Sequence, residues 1–283
     1  MGRSNYRTPR APRGDDDPAN ANMETASTAP ANPHLRRERI WYYLSYLRSL
    51  LVTNLLIYSY TAVCGALSLL GSLFDRRGRW QHGCARVWSW LILKTSGIRV
   101  RVEGLEHVDG RKTLVFVANH QSAMDIPILF IYLPAQFRFV AKRSLFRLPF
   151  IGWHLLRSGH IPVDRGKPHA ALKSLDQAAK KIREGRSVVL FPEGRRSRDG
   201  QVGSFKGGTF YLAIRAGVPI VPLTLNGTRG VLKPDTYHVR AGQTELIIHP
   251  PISTQGLTPK DVDALSQRVR KQILSRFRPP SSA

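Results

Sequence analysis

Cysteine is nearly absent. Two in 283 residues, Cys64 in an apolar run and Cys84 in a polar one, make neither a disulfide framework nor a zinc site. His82-Gly83-Cys84 has no second Cys/His pair to complete a metal centre. No Gly-x-x-x-x-Gly-Lys-Ser/Thr occurs, which excludes a P-loop, and without Gly-x-Ser-x-Gly a nucleophile-elbow hydrolase is disfavoured. No internal repeat is visible. Acidic residues are scarce, 19 Asp/Glu against 43 Lys/Arg, for a net charge of +24. Residues 1–75 hold 8 basic and 6 acidic side chains, so nearly all the excess belongs to 76–283. Such a charge implies anionic partners: nucleic acid, anionic lipid headgroups, phosphorylated substrates or an acidic carrier protein.

At 42% hydrophobic the chain has material for a sizeable core, and its length suits one large domain with appendages. Residues 1–38 are rich in Pro, Ala, Asn, Asp and Arg without apolar periodicity and read as a disordered tail, within which Met23 is an alternative start. Residues 49–74 then run 26 positions without a charge, enough to cross a hydrocarbon core of roughly 30 Å. Trp41, Tyr42 and Tyr43 precede this run and Trp80, Trp88 and Trp90 follow it, as in an interfacial aromatic belt. Arginines flank it on both sides (36, 37, 39 and 48; 76, 77, 79 and 86), so charge does not orient it. Paired with 87–93, it could instead lie in one leaflet. Residues 39–96 are therefore assigned as a membrane-anchoring helical segment.

From residue 97 to 283 the pattern alternates. Strands are expected at 98–102, 113–118, 137–141, 161–163, 187–191, 220–225 and 244–248, with helices near 126–132, 150–157, 169–184 and 208–216. Thr258-Pro259-Lys260-Asp261 combines an N-cap, a first-turn proline and a capping-box acid ahead of the stripe Val262, Leu265, Val269, Ile273 and Phe277. Alternation of this kind predicts an α/β fold: a mixed, substantially parallel sheet flanked by helices, with the N-terminal membrane helix or helix pair added.

Three stretches carry chemistry. Asn119-His120-Gln121-Ser122-Ala123-Met124-Asp125 follows a strand and separates a histidine from an aspartate by five positions, about 140° apart on an ideal helix. They meet only if His120 lies in the turn and Asp125 opens the helix; the carboxylate then holds one imidazole nitrogen and leaves the other for a proton. Alternatively Asp125 is merely an N-cap, with Pro127 in the first turn. Phe191-Pro192-Glu193-Gly194-Arg195-Arg196-Ser197-Arg198 leaves a strand where α/β folds bind ligands, and its arginines suit a phosphate or form a solvated basic turn. Gly159-His160-Ile161-Pro162-Val163-Asp164-Arg165-Gly166 and Ala141-Lys142-Arg143-Ser144-Leu145 are further cationic strand exits, and His160 reads as structural.

The first of these resembles the His-x-x-x-x-Asp block of the glycerolipid acyltransferases, the family of 1-acylglycerol-3-phosphate acyltransferases. Residues 159–165, 191–197 and 218–224 resemble three further blocks in the family's order, and the likeness covers roughly 85–250. It implies that His120 is a general base and Asp125 its orienting partner. Glu193 and Gly194 would shape the acceptor site, with Lys142, Arg165 and Arg196 around its phosphate. Arg195 stands where the family usually has Thr, an added cation. The implied reaction moves a fatty acyl chain from acyl-CoA or acyl-carrier protein to the sn-2 hydroxyl of lysophosphatidic acid. It needs no cofactor and no nucleophilic Ser or Cys, and backbone N–H groups near 191–194 are the expected oxyanion donors. Anionic membrane lipid is the expected surface partner, with the catalytic domain on the cytoplasmic face. The alternatives are the same chemistry on glycerol-3-phosphate, another lysophospholipid or a lyso-aminolipid, and, more distantly, a basic nucleic-acid or membrane binder. The absence of any nucleic-acid motif argues against nucleic acid as a partner.

Overall fold

The structure, a computed structural model, describes residues 33–280 apart from 76 and 164–167. β2 (Val115–Ala118) shows why the strands form where they do. Val115 and Val117 join one core, Phe116 and Ala118 the other, and all four are fully buried. Successive strand residues point to opposite faces, so a strand covered on both sides needs apolar residues at every position. β2 lies inside a seven-stranded sheet with β1 (Ile98–Glu103), β3 (Phe137–Lys142), β4 (Ile161–Val163), β5 (Ser187–Leu190), β6 (Ile220–Asn226) and β7 (Gly242–Ile248). The order is β1-β7-β6-β2-β5-β3-β4, parallel throughout except for β6 with β7. The fold is thus α/β with a mixed, mostly parallel sheet. Strand ends differ slightly from expectation. β2 starts at Val115, after Leu114, whose N–H donates to the side-chain hydroxyl of Ser187 in β5 (3.0 Å) rather than to a backbone carbonyl.

Helices α3 (Arg79–Ser96) and α4 (Asp125–Tyr132) cover one face, contributing Ile92, Leu93, Ile128, Leu129 and Phe130 to its core. On the other lie α6 (Pro168–Arg183), α7 (Gly208–Ala216) and α9 (Val262–Leu274), contributing Ala179, Ile182, Phe210, Leu212, Leu265, Val269 and Ile273. The Thr258/Asp261 capping box forms, and Phe277 lies just beyond the end of α9. Short helices α5 (Ile151–Arg157) and α8 (Thr228–Val231) complete the described set.

Of the expected tail, 1–32 lies outside the described residues, whereas 33–38 is helical. These residues open α1 (Pro33–Arg48), which runs through a π-helical turn, Ser49–Thr53, into α2 (Asn54–Gly71). Contacts divide the chain into Met1–Tyr42 and Tyr43–Ala283, and the sheet and its helices belong to the second unit. The helix Arg39–Gly71 is long and apolar enough to cross a membrane, by length and composition, and most of it is unburied. Its π-turn is held from outside: the Ser49 hydroxyl donates to the Tyr237 carbonyl (2.8 Å) and accepts from the Val239 N–H (2.8 Å). α2 and α3 form the expected helical pair, antiparallel, with Trp88 Nε1 donating to the Thr61 hydroxyl (2.9 Å) and Trp80 Nε1 to the Leu67 carbonyl (2.9 Å). Trp88 therefore lies in the seam of the pair instead of in an outward belt.

Candidate active site

At the end of β2 a side chain takes over from the backbone. Asn119 Nδ2 donates to the Leu225 carbonyl (2.9 Å) and its Oδ1 accepts from the Leu225 N–H (2.8 Å). Bonding to β6 continues while the main chain turns out of the sheet, and His120 is the first residue beyond it. Asp125, the first residue of α4, reaches back. Its Oδ2 accepts from His120 Nδ1 (2.7 Å), the Gln121 N–H (2.8 Å) and the Ser122 N–H (2.9 Å). The helix N-cap is Met124, with no side-chain cap, so the simple capping role for Asp125 is corrected. The carboxylate serves the turn upstream of the helix, fully buried and at the positive end of its dipole. An ionised carboxylate only accepts, so Nδ1 carries the proton and Nε2 is the basic nitrogen. No partner for Nε2 occurs among the described residues. The ring also stacks on Phe191, with centroids 3.9 Å apart and planes at 15°.

Glu193 fastens the same turn to the arginine loop. Oε1 accepts from the His120 N–H (2.8 Å) and Oε2 from the Gly203 N–H (3.0 Å), while the Ser197 N–H donates to the His120 carbonyl (2.9 Å). Burial pushes the Glu193 carboxyl above the usual range, against the pull of its two N–H donors. Its side chain stands behind the cavity wall; Gly194 lines the cavity. Gly194 has φ +73°, and a Cβ there would meet Lys206 Nζ at 3.1 Å. Of the backbone donors expected near 191–194, the Gly194 N–H is taken by the Phe191 carbonyl (3.0 Å).

His120 opens onto a cavity of about 540 Å³. Its apolar part is walled by Gly65 of α2, Trp88 of α3, Phe130, Phe139, Leu145 and Leu148; Lys142, Arg195, Arg196 and Arg198 line it as cations. Arg196 Nη2 pairs with Asp235 Oδ1 at 3.2 Å and Arg198 Nε with Asp235 Oδ2 at 3.6 Å. The sequence candidates His120, Lys142, Gly194, Arg195 and Arg196 are thus brought together, with Asp125 and Glu193 directly behind. Arg165 lies outside the described residues. Phe191 and Asp235 escaped the reading by residue type: one acts through its ring face, the other follows Lys233-Pro234 in an ordinary turn signal and takes φ +59°. His160 is structural, as expected: it is buried, and its Nδ1 accepts from the Phe139 N–H at 2.8 Å.

Comparison with known proteins places this geometry. A family model described as "Acyltransferase" matches residues 99–226. The 1-acyl-sn-glycerol-3-phosphate acyltransferase of Saccharomyces cerevisiae is 32% identical over 243 residues, spanning 83% of this chain and 78% of that protein. The chain belongs to the 1-acyl-sn-glycerol-3-phosphate acyltransferase family. Within that family, the chloroplastic relative from Arabidopsis thaliana is 37% identical over 183 residues, 64% of this chain and 51% of its own length. The chloroplastic relative from Brassica napus is 36% identical and matched over 53% of its length. The chain therefore spans about half the length of these plant relatives. The crystal structure of the 1-acyl-sn-glycerophosphate (LPA) acyltransferase from Thermotoga maritima is similar in fold: TM-score 0.67 and 26% identity, covering 85% of this chain and 99% of that one. The matched span holds His120, Asp125 and the arginine loop together.

Proposed function

We propose that the protein is a membrane-associated O-acyltransferase that moves a fatty acyl chain from acyl-CoA or acyl-carrier protein to the sn-2 hydroxyl of lysophosphatidic acid, giving phosphatidic acid. One observation carries this reading: the imidazole locked on Asp125 faces a cavity lined by apolar side chains and by four cations. The acceptor hydroxyl gives its proton to His120 Nε2 as its oxygen attacks the thioester carbonyl. Asp125 stabilises the imidazolium that results, as the acid of a Ser-His-Asp triad does, with the substrate's own hydroxyl in place of the serine. The tetrahedral intermediate then expels the thiolate, which takes the proton back from the imidazolium. Lys142, Arg195 and Arg196 hold the acceptor phosphate, joined by Arg165, and forked guanidinium donors suit a phosphate monoester. Arg195, where the family usually has Thr, favours the acceptor with the larger negative charge.

Residues 39–96 anchor the protein and also wall the apolar cavity, and 97–283 form the catalytic domain on the cytoplasmic face, held to anionic lipid by its positive charge. The test is to incubate the purified chain with lysophosphatidate and acyl-CoA or acyl-carrier protein, beside His120→Ala. Phosphatidate from the wild type alone supports the reading; equal amounts from both would remove His120 from the mechanism.

A further inference from the structure

Between β3 and β4 lies a stretch in which, apart from the buried Phe146, most apolar side chains face the surface. Leu145, Leu148, Phe150, Ile151, Trp153 and Leu156 are all exposed, Trp153 to 48% and Leu156 to 57%. Four of these six, Leu145, Leu148, Phe150 and Ile151, also line the cavity that holds His120. They belong to its wall and to the outer surface at once, so the cavity meets the exterior across an apolar rim.

The chemistry around this rim is one-sided. Residues 126–163 contain no Asp or Glu, and Arg143, Arg147 and Arg157 punctuate the apolar positions. Apolar side chains among arginines match a bilayer surface of anionic lipid, where rings and aliphatic groups enter the acyl boundary and guanidinium groups stay with the phosphates. The rim also adjoins the membrane helix. Ser68 Oγ of α2 hydrogen-bonds His154 Nδ1 of α5 at 2.6 Å. A Cβ on Gly65 would stand 3.0 Å from Phe150 Cβ, so the absence of a side chain at Gly65 lets the two elements close up. Val63, Leu67 and Leu70 of α2, on either side of those contacts, are exposed apolar residues.

We propose that residues 145–156 are a second membrane-inserting element, separate from α1–α2, which sinks into an anionic leaflet and opens the His120 cavity directly to the lipid acyl layer. Long-chain substrates then enter and leave through the rim without crossing water. The functional half of this statement rests on the acyltransfer reading; the insertion half does not.

The test uses the full chain in vesicles of equal parts phosphatidylcholine and phosphatidylglycerol. With Cys64 and Cys84 replaced by Ala, a single cysteine at position 148, 153 or 156 carries an environment-sensitive fluorophore, and one at the exposed position 260 serves as control. Lipid-borne quencher should dominate at 148, 153 and 156, and aqueous quencher at 260. Equal access of the aqueous quencher to all four positions overturns the proposal. In a second arm, Trp153→Ser/Leu156→Ser, neither residue lining the cavity, is assayed on long-chain lysophosphatidate in vesicles and on a short-chain acceptor below its micelle concentration. Burying each such side chain is worth about tenfold or more in partitioning, so losing two should lower the vesicle rate by at least about tenfold while the short-chain rate holds. A slower rate with acyl-carrier protein alone, with the rim reached by water, makes the patch a carrier-docking surface and overturns membrane insertion. Lipid quenching in a chain that acylates neither acceptor keeps the insertion and sinks the acyltransfer reading.

Discussion

The imidazole of His120 lies flat on the ring of Phe191, 3.9 Å between centroids, so the ring is held in direction by Asp125 and in plane by an aromatic face. Stacked aromatic pairs contribute about 0.5–1.5 kcal/mol beyond area. Phe191→Leu keeps the apolar volume and removes the stack. Turnover should fall by up to about tenfold, with little change in the acceptor KM, in steady-state assays across an acceptor series.

Asp125 Oδ2 accepts from three donors inside the protein. Asp125→Asn loses the charge that stabilises the imidazolium, and kcat should drop on the order of 10²–10⁴-fold. Asp125→Ala additionally leaves two backbone N–H groups of a buried turn without acceptors, at about 1–3 kcal/mol each. Urea unfolding should rank Ala well below Asn in stability, whereas both are nearly inactive.

Asp235 sits between Arg196 and Arg198 at the cationic lining of the cavity. If Arg196 holds the acceptor phosphate, as proposed, the Asp235 carboxylate competes for its guanidinium group. Exposed ion pairs contribute about 0.2–1 kcal/mol, so Asp235→Asn should lower the lysophosphatidate KM by up to about fivefold. A raised KM would show that Asp235 orients the arginines instead.

Buried histidines predict an acid-sensitive fold. Burial, with the charge of Arg138 nearby, pushes His82 and His154 down to about 4, and burial holds His160 well below its ordinary range. The folded state therefore binds fewer protons than the unfolded chain between pH 6.5 and 4, and stability rises with pH across that window. It should be fully present above the unfolded-state value near 6.5 and be lost as pH falls toward 4. His82 packs edge-on against Phe130 and Phe137, and its buried Nε2 has no partner among the described residues. His82→Phe should shift the acid-unfolding midpoint downward, seen by circular dichroism, and stabilise more at pH 5 than at pH 8.

Much of this was legible in the residues. All seven strands appear close to the expected positions because runs such as Val115–Ala118 have no polar face to expose, and His120 with Asp125 meet as a turn-to-helix geometry demands. What stayed hidden depends on partners distant in the chain. Glu193 reads as a ligand residue, yet it accepts backbone N–H groups from His120 and Gly203, and no side-chain pattern records which main-chain donors lack acceptors. Asn119 has a role only in three dimensions, where Leu225 lies beside it. The sheet order, and the antiparallel pairing of β6 with β7, are likewise decided by packing on both faces, to which strand periodicity is blind.

The seam between α2 and α3 has an engineering consequence. Gly65 and Trp88 of that helical pair line the cavity, so cutting away the apolar helices for solubility would unroof the pocket and expose its floor to water. Detergent extraction of the intact chain should preserve turnover where shortening destroys it. For the same reason, substitutions selected to suit a thicker or thinner bilayer would also reshape the space left for an acyl chain.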